Sequence, residues 1–205
     1  MATYASDTGG GKEFDPVPEG SHLAVCDMFV DLGLQDSNFG AKHKIYLRWQ
    51  IPSLRMEWEK DGEKHEGPMA IGGQYTLSLS EKSNLRPMLQ SWRGQAFTAD
   101  ELKKFDVTTI LGKPCMLSVV HKPKDGGGIY ANVGTAMKLP KGVPAPVLEG
   151  EAILYDADNT KTWEKLRPWL QEKIKASVAN DAQPPASPPP NEDWRSDDLD
   201  DSVPF

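Results

Sequence analysis

Cysteine, histidine and long apolar runs are all scarce in this chain. Its two cysteines, Cys26 and Cys115, lie far apart, each inside an apolar stretch. They read as buried free thiols in a reducing compartment and not as a disulfide framework. The four histidines, at positions 22, 43, 65 and 121, have neither a Cys pair nor a His-x-x-x-His spacing, so no zinc site is written. No stretch approaches the roughly 18 apolar residues of a membrane span, and the polar opening residues do not read as a signal peptide. The expectation is a soluble, cytoplasmic protein. Catalytic signatures are missing as well. Gly10-Gly11-Lys12-Glu13 lacks the spacing and the Ser/Thr of a phosphate-binding loop, and no Ser/His/Asp or Cys/His pattern stands out. Neither enzymatic activity, a metal nor a cofactor is expected.

Apolar residues are also thin, 38% of 205 residues, and 17 prolines accompany them. Part of the chain therefore stays out of any core. The net charge of −7 argues against a polyanionic ligand only on average, because the charges are segregated. Residues 181–205 hold one Arg against seven Asp/Glu, whereas residues 42–141 hold 16 Lys/Arg against 10 Asp/Glu, a net of +6. A basic middle and an acidic end need different explanations.

Along the chain, residues 1–20 read as a flexible lead. Residues 23–34 read as a strand with a bulge or bend at Gly33. Residues 42–51 alternate, with Ile45, Leu47, Trp49 and Ile51 on one face and Lys44, Tyr46, Arg48 and Gln50 on the other. Pro52 is expected to end that strand, with a charged hairpin following around Asp61-Gly62. A third strand spans 69–79 and bends at Gly72-Gly73. Ser83 is expected to cap a short helix ending near Trp92, and Thr98-Ala99-Asp100-Glu101 is a capping box. Strands at 115–121 and 129–137 flank a glycine-rich loop. Further on, residues 151–155 could add a short strand and residues 160–176 an amphipathic helix. From residue 179 the Pro-rich composition reads as a disordered linker.

Three strands, a helical segment and two strands give the order of an OB-fold, a five-stranded Greek-key barrel with a helix between strands 3 and 4. The expected layout is an OB-fold binding domain over residues 21–142, an extension with a C-terminal helix over 143–178, and a linker with an acidic tip over 179–205. Trp163 and Trp169 suit either packing of that extension on the barrel or self-association.

Single-strand binders combine a positive groove for phosphates with aromatic faces for bases. Lys42, Lys44, Tyr46 and Arg48 share one strand face, and Arg55 and Trp58 follow in the hairpin. Lys122 and Lys124 flank the glycine-rich loop, Tyr130, Lys138 and Lys141 lie on or past the fifth strand, and Arg93 is within reach of a phosphate. These twelve residues are the expected contacts to single-stranded DNA. Trp49, Trp92 and Phe97 read as core.

The acidic tip offers a second kind of contact. Asp197, Asp198, Asp200 and Asp201 precede Val203, Pro204 and Phe205, an apolar anchor beside a carboxylate that suits an apolar pocket with a basic rim. Asp200-Asp201-Ser202-Val203-Pro204-Phe205 resembles the acidic C-terminal tip of bacterial single-stranded-DNA-binding proteins, and the Pro-rich linker before it fits. Ser91-Trp92-Arg93-Gly94-Gln95-Ala96-Phe97-Thr98, together with residues 105–115 and 130–142, resembles a family of phage proteins from replication and recombination modules. The resemblances imply a phage-encoded single-stranded-DNA-binding protein whose tip recruits replication, recombination or repair proteins. The competing expectation is an adaptor that docks on a host replication enzyme through the tip without binding DNA.

Overall fold

Ile45, Leu47, Trp49 and Ile51 are completely buried, as their every-second-residue spacing dictates for a strand with one face on a core. They belong to the longest strand of a computed structural model that describes residues 15–37, 40–60, 62–124 and 127–177. Its strands are β1 (Gly20–Gln35), β2 (Lys42–Lys60), β3 (Glu63–Thr76), β4 (Pro114–Pro123), β5 (Ile129–Met137) and the short β6 (Ile153–Tyr155). Five of them run in the order β3-β2-β1-β4-β5, with every adjacent pair antiparallel. The end strands β3 and β5 approach each other, but no ladder joins them among the described residues. The sheet is therefore a curled, antiparallel half-barrel in a mainly β protein.

β1 is apolar on both faces because it changes parity within its length. Its ladder with β2 slips between Cys26 and Met28 and again between Asp31 and Gly33, so each bulge moves the following residues to the other face. Ala24, Cys26 and Phe29 enter the main core, whereas Met28, Val30 and Leu32 enter a second cluster with Leu166 and Leu170. β4 occupies the far edge of β1 as far as Val25, and β6 takes over that edge in parallel at Met28–Val30.

Pro52 does not end β2. It lies where the β2–β3 register shifts between Ile51 and Arg55, one of the places a sheet tolerates a missing N–H. The pairing then resumes out to Lys60 and Glu63.

The helical segment between strands 3 and 4 comprises the short helix expected to end near Trp92, α1 (Leu85–Arg93), and a second turn opened by the capping box, α2 (Ala99–Lys103). It contains in addition a 3-10 turn at Val107–Ile110. Asn84, not Ser83, occupies the N-cap of α1 and makes no side-chain cap, while the Ser83 hydroxyl accepts from the Leu85 N–H at 3.2 Å. Leu85, Met88, Leu89 and Trp92 form the buried stripe of α1. α2 has the expected Thr98–Glu101 capping box.

The helix expected over residues 160–176 is broken. A 3-10 turn (Thr160–Lys165) gives way at Leu166 to α3 (Pro168–Lys175), with Pro168 at its start. Proline is well suited to a first helical position and poorly suited to an interior one. The extension of residues 143–177 packs on the outer side of β1 and β2. Leu166 and Leu170 close the second cluster, where full burial of such a side chain contributes about 1.5–3 kcal/mol. The Gln50 amide donates to the Glu149 carbonyl at 2.9 Å and accepts from its N–H at 3.1 Å. The Gln35 amide donates to the Lys173 carbonyl at 2.9 Å. Among the described residues, no helix is long and apolar enough to cross a membrane.

Candidate functional site

Three separate groups of the expected contact residues emerge, and they differ in what already holds them. The first is the outer face of β2. Lys44, Tyr46 and Arg48 do alternate with the core residues, but the extension covers much of their face. Arg48 donates to both carboxylate oxygens of Asp27, from Nε at 3.1 and 3.0 Å and from Nη2 at 2.6 Å. Asp27 is 1% exposed, so the guanidinium balances a buried charge. Lys44 Nζ donates to the Thr76 hydroxyl at 2.8 Å. The Tyr46 ring meets Trp169 edge-on, with centroids 5.1 Å apart. Burial pushes the Tyr46 hydroxyl pKa up, against the opposing charges of Arg48 and Arg167. Tyr46 is half-buried and packs against the second cluster. Lys42 sits at the start of the same strand, half-buried.

The second group is dispersed and largely engaged. Arg55 donates to Glu66 at 2.8 Å and to Glu149 at 2.6 Å. Trp58 stacks on His65, with centroids 5.7 Å apart. Arg93 pairs with Glu101, and its guanidinium lies 4.5 and 5.1 Å from the ring centroids of Phe97 and Phe105. Its buried Nη1 has no hydrogen-bond partner among the described residues. Arg93 and Lys138 also border a cavity of about 480 Å³ with Lys113, Trp92 and Ile110. Lys141 lies beyond it on an exposed turn.

The third group is the β4–β5 hairpin, and it is the most open. Lys122 pairs across the ladder with Tyr130. Tyr130 is 57% exposed, and Lys124 Nζ lies 4.7 Å from its ring centroid. Gly127 and Gly128 have φ of 102° and 85°, values that L side chains adopt only with strain. The hairpin leads to a cleft of about 650 Å³ between β3 and β5, lined by Lys122, Asn132, Gly72, Gln74 and the start of α1.

Sequence reasoning missed one exposed aromatic as a contact candidate. Trp169 is 36% exposed, and Arg167 stands two residues before it. The signal was in the periodicity: Leu166, Leu170 and Ile174 make a helical stripe, and Trp169 borders it. Elsewhere, Asp31 and His43 form an ion pair at 2.6 Å, beside a cavity of about 530 Å³ reaching Tyr155, Ile174 and Ser177. Both cysteines are buried and unpaired. Among the described residues, no group of three or more His, Cys, Asp or Glu side chains gathers as a metal site would require. Asp197, Asp198, Asp200, Asp201, Val203, Pro204 and Phe205 lie outside the described residues. The chain matches no protein-family model, and no curated protein is similar to it in sequence.

Proposed function

We propose that this protein binds single-stranded DNA with little sequence preference, through the β4–β5 hairpin and the cleft beside it. One observation carries this reading: Tyr130 stands exposed on the hairpin with Lys124 over its ring and Lys122 opposite it. An exposed ring among cations is the arrangement on which a base stacks while its phosphates are neutralised. The half-barrel supports the same reading. In an OB-fold, strands neighbour one another in the order seen here, and nucleic acid lies along strands 2 and 3 and the loops after strands 1 and 4. The β4–β5 hairpin would be the second of those loops. Residues 197–205 would recruit replication or recombination proteins, since their aspartates would steer basic partners and Phe205 would anchor them.

The adaptor reading also has an observation in its favour, because Tyr46 and Arg48 are engaged within the protein itself. A titration with labelled oligo-dT and with duplex of equal length, at two salt concentrations, separates the two. Preference for the single strand that weakens with salt supports DNA binding. Absence of binding to either, with a partner still captured through residues 197–205, would establish the adaptor. Removing residues 197–205 should leave or improve DNA affinity while abolishing partner capture. Equal loss of both would overturn this division of labour.

A further inference from the structure

We propose that Trp169 and Arg167 of the extension form a second base-stacking site for single-stranded DNA, on the outer face of β2. The inference rests on the single-strand-binding reading and adds a site to it.

The argument starts from how differently the apolar residues of this extension are treated. Leu166 and Leu170 are 4% and 1% exposed, whereas Trp169 presents its indole to solvent. That indole is also held in place. Tyr46 supports it edge-on, with planes at 88°, and Pro168 fixes the first turn of the helix that carries it. A ring already held in one orientation loses little conformational freedom when a base stacks on it.

The charge around the indole has the sign a polyanion needs. Arg48 lies one strand repeat from Tyr46 on the same face of β2, and Arg167 is the N-cap residue of the helix that carries Trp169. Arg48 is matched by Asp27, but Arg167 has no ion-pair partner among the described residues. Lys44 lies one strand repeat from Tyr46, about 7 Å along β2, and bonds to the neutral Thr76 hydroxyl, so its charge is not cancelled by that contact. A second copy of the chain fits this patch less well. A two-fold contact centred on Trp169 would press Arg167 and its copy together in a desolvated interface.

Anisotropy titrations with labelled oligo-dT decide the matter, using the full chain and the variants Trp169→Leu, Trp169→Phe, Arg167→Glu and Tyr130→Ala. Trp169→Leu keeps apolar contact with Tyr46 and should weaken binding about 5- to 150-fold, the range for losing one base stack. Trp169→Phe should restore most of that loss, and Arg167→Glu should weaken binding and flatten its salt dependence. If the wild type binds and Tyr130→Ala weakens it while Trp169→Leu binds normally, the second site is overturned and the functional reading survives. If the wild type does not bind, both fall. A concentration-dependent oligomer that Trp169→Leu disperses, with DNA affinity unchanged, would assign the indole to self-association instead. Should Trp169→Leu fail to fold, unchanged affinity in the exposed Arg167→Glu variant overturns the proposal.

Discussion

Tyr46 lays its ring and hydroxyl over the backbone of Gly72, its diagonal neighbour on β3. A Cβ on Gly72 would overlap that ring and stand 2.7 Å from the Leu47 carbonyl oxygen. Gly72→Ala should therefore destabilise the fold by about 1–3 kcal/mol, as overpacking does, read as a lower denaturant midpoint. Tyr46→Ala in the same chain should recover only part of the loss, because the Leu47 carbonyl remains in the way. An unchanged midpoint for Gly72→Ala would mean that the Tyr46 ring does not lie there.

The Asp27–Arg48 pair makes a different demand. Arg48→Met leaves a carboxylate buried without its counter-charge, which costs about 3–5 kcal/mol. The double variant Asp27→Leu with Arg48→Met should be markedly more stable than Arg48→Met alone, because it removes both charges together. Equal stability of the single and double variants in urea titrations would show that the carboxylate is solvated. The pair also governs how DNA-binding data are read: loss of affinity in Arg48→Met counts as a contact effect only where its fold is intact.

The alternation of β2 placed Ile45, Leu47, Trp49 and Ile51 in the core from spacing alone, because a strand with one buried face has only one way to arrange them. β5 was equally legible, bounded by a glycine-rich loop. Harder to read was the run Met28-Phe29-Val30, apolar on both faces. Its second cover comes from Leu166 and Leu170, more than a hundred residues away, and no local pattern encodes so distant a partner. That same cover leaves Tyr46 half-buried. On the hairpin, Lys122 and Tyr130 are exposed and Lys124 is half-buried, and Asp15 and Pro16 share a cavity with that loop without covering the Tyr130 ring. Pro52 misled because a proline ends a regular strand but is tolerated at a register shift, and such shifts arise from the curl of the whole sheet.

The His43–Asp31 ion pair predicts a pH dependence. The hydrogen bond to Asp31 raises the His43 pKa, against the opposing effect of burial. Burial would raise Asp31, but the bonds from His43 and the Gly33 N–H outweigh it and hold its carboxyl below the usual range. The Asp31 contribution is present above its unfolded pKa near 3.9 and is lost as pH falls through the lower folded value. The His43 contribution is complete below about pH 6.5 and is lost as pH rises through the higher folded value. The pair should therefore stabilise most between about pH 4 and 6.5. The melting-temperature difference between wild type and His43→Gln should be largest near pH 5.5 and shrink by pH 8.5. A difference that grows with pH in that range would contradict the ion pair.

Tyr130 and its neighbouring lysines should fail in distinguishable ways if the hairpin holds single-stranded DNA. A stacked ring contributes through contact, so Tyr130→Ala should lower oligo-dT affinity by about 1–3 kcal/mol while leaving the salt dependence unchanged. A lysine at a phosphate contributes by releasing counterions, and each contact adds roughly 0.7 to the slope of log affinity against log salt on a single strand. Lys122→Gln with Lys124→Gln should thus flatten that slope by about 1.4, with its largest affinity loss at low salt. Tyr130 is exposed on the hairpin, so its substitution should barely move the melting temperature, and loss of binding could not be blamed on unfolding. A Tyr130→Ala variant that binds as tightly as the wild type would remove the hairpin from the interface. A slope untouched by the double lysine substitution would place the phosphate path elsewhere on the sheet.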